Sequence, residues 1–331
     1  MTARGAERRA HAAVLAAAVL FGSTFVIVKD AVADVGVVPF LAVRFLVGAA
    51  VLLPFALRRR AGGWEGVVPA GAVCGTVLLA GYLFQTVGLQ YTSASVSAFI
   101  TYLLVVLVPV LSTLVLRRRP APTTIAGVVL ATAGLFLLTG RGHGLGLGRG
   151  ELLTLGCALA FAVHILVLAE VSPRFDTVRL TAVQLAVVGG ACLVPGVFLG
   201  GYAFTGRAWA AAVYTGATVS ALAFSLQVYG QRRVGPTRTS LLLTMEPVAA
   251  AVVGALAGER LGWVGAAGAA LILAGIAVAE LPLAGGQGNG RRRRILKARD
   301  KGSGGSLDSA GMVESTPSTQ SLPEGNSFAL G

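Results

Sequence analysis

The 331-residue chain carries 27 Lys and Arg against 14 Asp and Glu, a net charge of +13, yet only 12% of its residues are charged, where soluble domains average about 25%. Hydrophobic residues make up 55% and mean hydropathy is +0.78, while the 45 glycines are about twice the usual share. Too little charge is present to coat a soluble surface and too much apolar character for disorder, so the chain reads as a polytopic all-α membrane protein with close-packed helices.

A membrane span takes about 20 apolar residues. In chain order that length marks ten segments, at roughly 11–29, 36–57, 66–88, 93–116, 124–140, 151–169, 178–200, 208–229, 236–257 and 261–282. The connections average about seven or eight residues, as in helix bundles. Arg8 and Arg9 before the first apolar run, with Ala31-Val32-Ala33 after it, imitate a cleaved signal. Lys29 and Asp30 interrupt that region, however, and the repeat described below needs the helix. Cys74, Cys157 and Cys192 lie inside apolar runs without CxxC or Cys/His spacing, so they read as packing residues, with neither a disulfide framework nor a metal site.

Between the fifth and sixth segments, Gly142-His143-Gly144 through Gly148-Arg149-Gly150 fails GxGxxG in every register and reads as a flexible linker. Residues 283–331 turn to Gly, Ser and polar residues behind Arg291–Arg294, the composition of a disordered tail. Its basic cluster suits either contact with anionic lipid or topology enforcement alone. With the N-terminus in the cytoplasm, 21 basic residues fall on the cytoplasmic side and five outside, with Arg44 inside a span. That bias places both termini in the cytoplasm of a cell (plasma) membrane protein. The positive charge is thereby topological and calls for no nucleic-acid partner. Trp64, Trp209 and Trp263 stand at segment starts, as an interfacial belt predicts.

The two halves repeat at an offset of about 140 residues. Phe21 matches Phe161, Val43 matches Val183, Gln85 and Gly88 match Gln227 and Gly230, Ser97 and Thr101 match Ser240 and Thr244, and Gly127 and Gly134 match Gly268 and Gly275. Each unit holds five segments, an odd number, so the second unit enters the membrane from the opposite side. The expected fold is ten transmembrane helices as two inverted five-helix repeats, with a binding site near the midplane.

Phe21-Gly22-Ser23-Thr24-Phe25, Tyr82-Leu83-Phe84-Gln85 through Tyr91-Thr92-Ser93-Ala94-Ser95, Ala98-Phe99-Ile100-Thr101, Glu246-Pro247 and Gly258-Glu259-Arg260-Leu261 resemble the ten-helix EamA-type branch of the drug/metabolite transporter superfamily. The resemblance covers residues 11–282, as one repeat over 11–140 and a second over 151–282. It departs from the family at Arg117-Arg118-Arg119-Pro120 and in having Phe21 where many relatives carry Trp. It implies a bundle that exports or exchanges small metabolites.

A charge near the midplane costs about 2.5–3.5 kcal/mol on insertion scales, which singles out Glu246, halfway along the ninth segment. Pro247 behind it removes a backbone donor and clashes with the Leu243 carbonyl, so a kink is expected beside the carboxylate. Glu246 suits a proton-accepting or amine-binding role, or satisfaction of the broken helix. Arg44 suits pairing with a substrate carboxylate or with Glu246, or clamping of backbone carbonyls. His164 suits ligand contact or packing. Gln85 and Gln227 suit a polar path or helix-to-helix bonding. Ser23, Tyr82, Thr101, Tyr102 and Thr244 complete the candidate substrate-binding set, with back-bonding to their own helices as the alternative.

No GxxxxGK[ST], HExxH or GxSxG occurs, so neither an ATP-driven pump nor those enzyme classes is expected, and no cofactor is implied. The expected function is a secondary transporter, an exporter of amino acids or related metabolites by alternating access, with the bilayer and a small-molecule substrate as partners and room for a homodimer. The alternative is an intramembrane enzyme using His164 and Glu246 as acid and base.

Overall fold

The computed structural model describes residues 3–23, 27, 31, 34–58, 63–88, 90–92, 94–139, 148–256 and 262–280. Thr24, Lys29, Asp30, the linker at 140–147, residues 257–261 and the tail from 281 onward lie outside the described residues, and with them the expectations made for those positions.

Every regular element among the described residues is helical. The helices are α1 (Ala3–Ser23), α2 (Val37–Arg58), α3 (Val67–Gly88), α4 (Ala94–Tyr102), α5 (Leu104–Leu114), α6 (Pro122–Thr139), α7 (Arg149–Val171), α8 (Thr177–Phe198), α9 (Gly206–Thr215), α10 (Phe224–Val234), α11 (Pro236–Leu243), α12 (Met245–Leu256) and α13 (Gly262–Glu280). A 3-10 turn at Ser172–Arg174 follows α7, and a π-helical stretch at Gly216–Ala223 joins α9 to α10.

Among the described residues, eight columns are long and apolar enough to cross a bilayer: α2, α3, α4 with α5, α7 with its 3-10 turn, α8, α9 through α10, α11 with α12, and α13. Ten were expected. Charged Glu7, Arg8 and Arg9 shorten the apolar part of α1, and α6 is a shorter apolar helix, Pro122–Leu138.

Local sequence sets where these columns stop. Asp176 caps α8, its Oδ1 accepting from the N–H groups of Val178 and Arg179 at 3.0 and 3.1 Å, and Thr205 caps α9 by accepting from Ala208 N–H at 3.1 Å. Gly235, at φ 86°, turns the chain between α10 and α11, and Pro236 opens the new helix where its missing N–H costs nothing. Two columns break in mid-course, at Leu103 between α4 and α5 and at Thr244 between α11 and α12. The second break is the kink expected ahead of Pro247.

Packing places apolar residues on the exterior and polar ones inside. Phe55 is 55% exposed, Phe198 81% and Leu256 85%, whereas Arg44, His164, Gln184, Gln227 and Gln231 are each 5% exposed or less. Water would penalise such a surface; a hydrocarbon exterior accepts it. The core joins Phe45 and Leu52 of α2, Leu78 of α3, Leu185 and Val188 of α8 and Phe224 of α10. A second cluster joins Val14 and Ala18 of α1 to Leu104, Ala162, Ile165 and Leu242. Cys74, Cys157 and Cys192 are free and buried, as packing residues.

A close backbone approach, matched in both halves, lies between α6 and α13. A Cβ on Gly134 would stand 2.6 Å from the Gly268 carbonyl oxygen, and one on Gly268 the same distance from that of Gly134; Gly127 and Gly275 approach likewise at 2.5 and 2.6 Å. Small residues let the two helices cross without side chains between them. Other pairings include α2 with α8, α3 with α7 and α8, α1 with α10 and α12, and α7 with α4 and α5.

Candidate functional site

A cavity of about 110 Å³ opens where these columns meet. Its walls come from Phe21 of α1; Leu78, Tyr82 and Gln85 of α3; Ser97, Ala98, Thr101 and Tyr102 of α4; and Leu104 of α5. Phe161, His164 and Ile165 of α7, Phe224 and Gln227 of α10, Leu243 of α11 and Glu246 of α12 complete them. The space suits a few waters or a small polar group.

Aromatic rings frame it. Phe21 meets Phe224 edge-on with centroids 5.0 Å apart, and Tyr82 meets Phe161 edge-on at 5.4 Å. Phe45 stands behind, 5.0 Å from Tyr82 and 6.3 Å from Phe224. The two edge pairs exchange under the repeat, since Phe21 corresponds to Phe161 and Tyr82 to Phe224 at offsets of 140 and 142. Gly81, next to Tyr82, lets the Phe161 ring lie directly on the α3 backbone. Each edge contact adds about 0.5–1.5 kcal/mol beyond burial, enough to hold the walls in register.

Glu246 supplies the carboxylate. It sits in the first turn of α12, where the helix N-terminus favours negative charge. The break that creates this N-terminus is built locally: Thr244 N–H reaches the Leu241 carbonyl at 3.1 Å, a shortened turn, and the Thr244 hydroxyl donates to the same oxygen at 2.6 Å. Tyr102, across the cavity, hydrogen-bonds the Glu246 carboxylate.

The other polar groups are held from behind. His164 Nε2 lies 3.0 Å from Gln184 Oε1; that oxygen only accepts, so Nε2 carries the proton. Gln227 Nε2 donates to Gln231 Oε1 at 3.4 Å, and Gln231 Nε2 donates to the Ile165 carbonyl at 2.6 Å, tying α10 to α7. The Ser97 hydroxyl is 3.5 Å from that of Thr154, and the Thr101 hydroxyl 3.8 Å from Cys157 Sγ.

Arg44 stays outside the lining. Its Nε donates to Ser220 Oγ at 3.2 Å, and its guanidinium lies 5.5 Å from the centroid of Phe45 and 5.9 Å from that of Tyr82. Ser220 belongs to the π-helical stretch, and Gly216 of the same stretch lets the Arg44 carbonyl pass where a Cβ would be 2.7 Å away. Single π turns often mark functional sites because the extra residue redirects side chains; here it seats an arginine.

The structure therefore gathers Tyr82, Gln85, Thr101, Tyr102, His164, Gln227 and Glu246 around one space. Ser23 and Thr244 turn their hydroxyls to Leu20 and Leu241 of their own helices, the back-bonding alternative. Phe161 and Phe224, Ser97 and the apolar wall of Leu78, Leu104, Ile165 and Leu243 were not among the sequence-derived candidates. For the rings a signal existed, because the repeat offset pairs Phe21 with Phe161 and Tyr82 with Phe224. For the aliphatic residues none did.

The profile of the EamA-like transporter family matches residues 8–140 and, a second time, residues 148–280. The chain belongs to the EamA-like transporter family. This EamA-like chain is 30% identical over 274 residues to a protein of Archaeoglobus fulgidus described as an uncharacterized transporter, covering 82% of this chain and 96% of that one. To a second Archaeoglobus fulgidus protein of the same description it is 37% identical over 155 residues, which span about half of each chain, 47%. A solved crystal structure superimposes with a TM-score of 0.71 at 23% identity, over 82% of this chain and 98% of that one, a likeness of fold. Family membership and the apolar exterior together make the protein a multi-pass membrane transporter of the drug/metabolite class.

Proposed function

We propose that this transporter is a ten-helix secondary exporter of small metabolites, amino acids or related compounds, in which two inverted five-helix repeats alternate access to the central cavity. In this arrangement α1 and α6 complete the ten crossings, both termini face the cytoplasm and the protein resides in the plasma membrane. The observation that carries the reading is the cavity itself: two ring pairs and two amides, Gln85 and Gln227, that exchange under the repeat, around one carboxylate that does not. The helix pairings support it, because exchanging the halves converts the α3–α7 contact into α10–α1, and the contact of α7 with α4 and α5 into that of α1 with α11 and α12. The breaks at Leu103 and Thr244, two residues apart when the repeat aligns Thr101 with Thr244, give each repeat a place to bend at similar height.

Tyr82, Gln85, Thr101, Tyr102, His164, Gln227 and Glu246 contact the substrate in this proposal, and Glu246 couples transport to protons. Arg44 balances the Glu246 charge through the Tyr82 wall, so that protonation of Glu246 changes the field on both sides of the cavity. The enzyme alternative gains the shared location of His164 and Glu246. The Nε2–H of His164 is already committed to Gln184, however, and family membership favours transport.

The test has two stages. Metabolites released by cells with and without the protein identify the exported compound, and purified protein in liposomes then carries that compound with and without a pH gradient. Glu246→Gln is expected to lose the gradient's acceleration and keep counterflow exchange. Unchanged gradient-driven transport in that variant refutes the coupling role.

A further inference from the structure

Away from the central cavity, a groove of about 1160 Å³ runs along the outer face between α5 and α6. It has the chemistry of a hydrocarbon container. Val110, Val129 and Phe136 line it and are about half exposed or more. The hydroxyls of its α5 and α6 walls are turned to their own helices: Thr113 donates to the Pro109 carbonyl at 2.8 Å and Thr132 to that of Val128 at 2.7 Å. Apart from Thr237, the length of the groove therefore offers apolar side chains.

Its end is different. There the chain leaves α5 through a tight turn, with Arg118 N–H on the Ser112 carbonyl at 3.1 Å and Arg117 in the left-handed conformation at φ 52°. That turn separates the three arginines. Arg118 pairs with Glu170 of α7 at 2.8 Å, whereas Arg119, beside Pro120, lines the groove and has no carboxylate partner among the described residues. From Ile125 to Leu137 the α6 wall is about 18 Å long at 1.5 Å per residue, close to the ~15 Å depth of one bilayer leaflet.

We propose that this groove binds an anionic phospholipid, with an acyl chain along α5 and α6 and the headgroup phosphate on Arg119. Charge complementarity supports it: a leaflet-length apolar trough, closed at one end by a guanidinium with no carboxylate partner among the described residues, matches a lipid that is hydrocarbon along its length and anionic at its head. Arginine suits the role because its planar fork meets two phosphate oxygens at once. The groove shares no lining residue with the central cavity, so the proposal stands independently of the transport direction.

The experiment uses the full-length protein, purified in detergent and equilibrated with equal amounts of dioleoylphosphatidylglycerol and dioleoylphosphatidylcholine, with retained lipid counted by native mass spectrometry. One basic contact near an anionic headgroup corresponds to about a fivefold preference, so the wild type is expected to retain phosphatidylglycerol about fivefold over phosphatidylcholine. Arg119→Glu brings the ratio to about one. Ala133→Trp, an exposed groove position on the face of α6 away from α13, lowers retention of both lipids. Arg207→Glu, outside the groove, leaves the preference unchanged. Equal retention of the two lipids by the wild type, an unchanged ratio in Arg119→Glu, or full retention in Ala133→Trp overturns the proposal. A dimer mass that Ala133→Trp abolishes overturns it in favour of a second copy of this chain in the groove.

Discussion

Replacing Gly134 with alanine places a methyl group in the tight crossing of α6 and α13. Its Cβ would lie 2.6 Å from the Gly268 carbonyl oxygen, 2.8 Å from Ile272 N and 2.9 Å from Leu271 Cβ, where ordinary contact begins at 3.4 Å. Two of these three neighbours are backbone atoms and no rotamer change relieves them, so α6 and α13 must separate by about 0.8 Å or tilt. Overpacking of this kind costs about 1–3 kcal/mol. Gly268→Ala makes the reciprocal clash, with its Cβ 2.6 Å from the Gly134 carbonyl, and is expected to cost about the same. The double variant should cost less than the sum, because the helices, once parted by one methyl, have already made part of the room for the other. Reversible unfolding of the three variants in mixed micelles measures these differences. Neither helix lines the central cavity, so substrate affinity should hold while stability falls. A Gly134→Ala variant within 0.5 kcal/mol of the wild type, or strict additivity in the double variant, refutes the crossing as a stability determinant.

Arg44→Met is expected to destabilise by about 1–3 kcal/mol, since it strips Ser220 of a buried donor and removes the cation from Phe45 and Tyr82; Arg44→Lys should fail to rescue it, lacking both the Nε–H and the planar face, as thermal unfolding would show. Asp176→Ala should cost about 1 kcal/mol through loss of the α8 cap, with Asp176→Ser restoring most of it. Arg117→Gly should stabilise by about 1 kcal/mol, because glycine holds φ 52° without the side-chain penalty; a loss of stability would count against the left-handed turn at Arg117. Single cysteines near residues 91 and 205 are expected to react with an impermeant reagent from outside intact cells, and cysteines at 117–119 only after permeabilisation; the reverse pattern refutes the orientation.

Much of this architecture is written along one dimension. Membrane location follows from composition, the column positions from apolar run length, and the α8 and α9 caps from Asp176 and Thr205 standing ahead of them. The kink at Thr244 follows from Pro247 lacking an N–H, and the matched pairs Phe21 with Phe161 and Gln85 with Gln227 from a fixed repeat offset. Each depends on residues close in sequence or on a constant spacing. The α6–α13 crossing belongs with them, since its four glycines occupy matched positions in the two halves.

What only the tertiary structure decided is which way each column faces. In water the polar face of a helix declares its rotation, but α3, α6, α7 and α13 are apolar all round, and lipid and protein interior are alike to them. The sequence therefore placed Ser23, Thr244 and Gln227 at suitable depths without saying that the first two bond to their own helices and the third lines a cavity. The sequence likewise carried no sign that Arg44 reaches Ser220, since that contact joins residues 176 positions apart through a π-helical stretch. Nor did it pair His164 with Gln184, twenty residues away on the next helix. Those meetings are fixed by helix rotation and close packing, where a side chain's partner depends on every neighbouring surface at once.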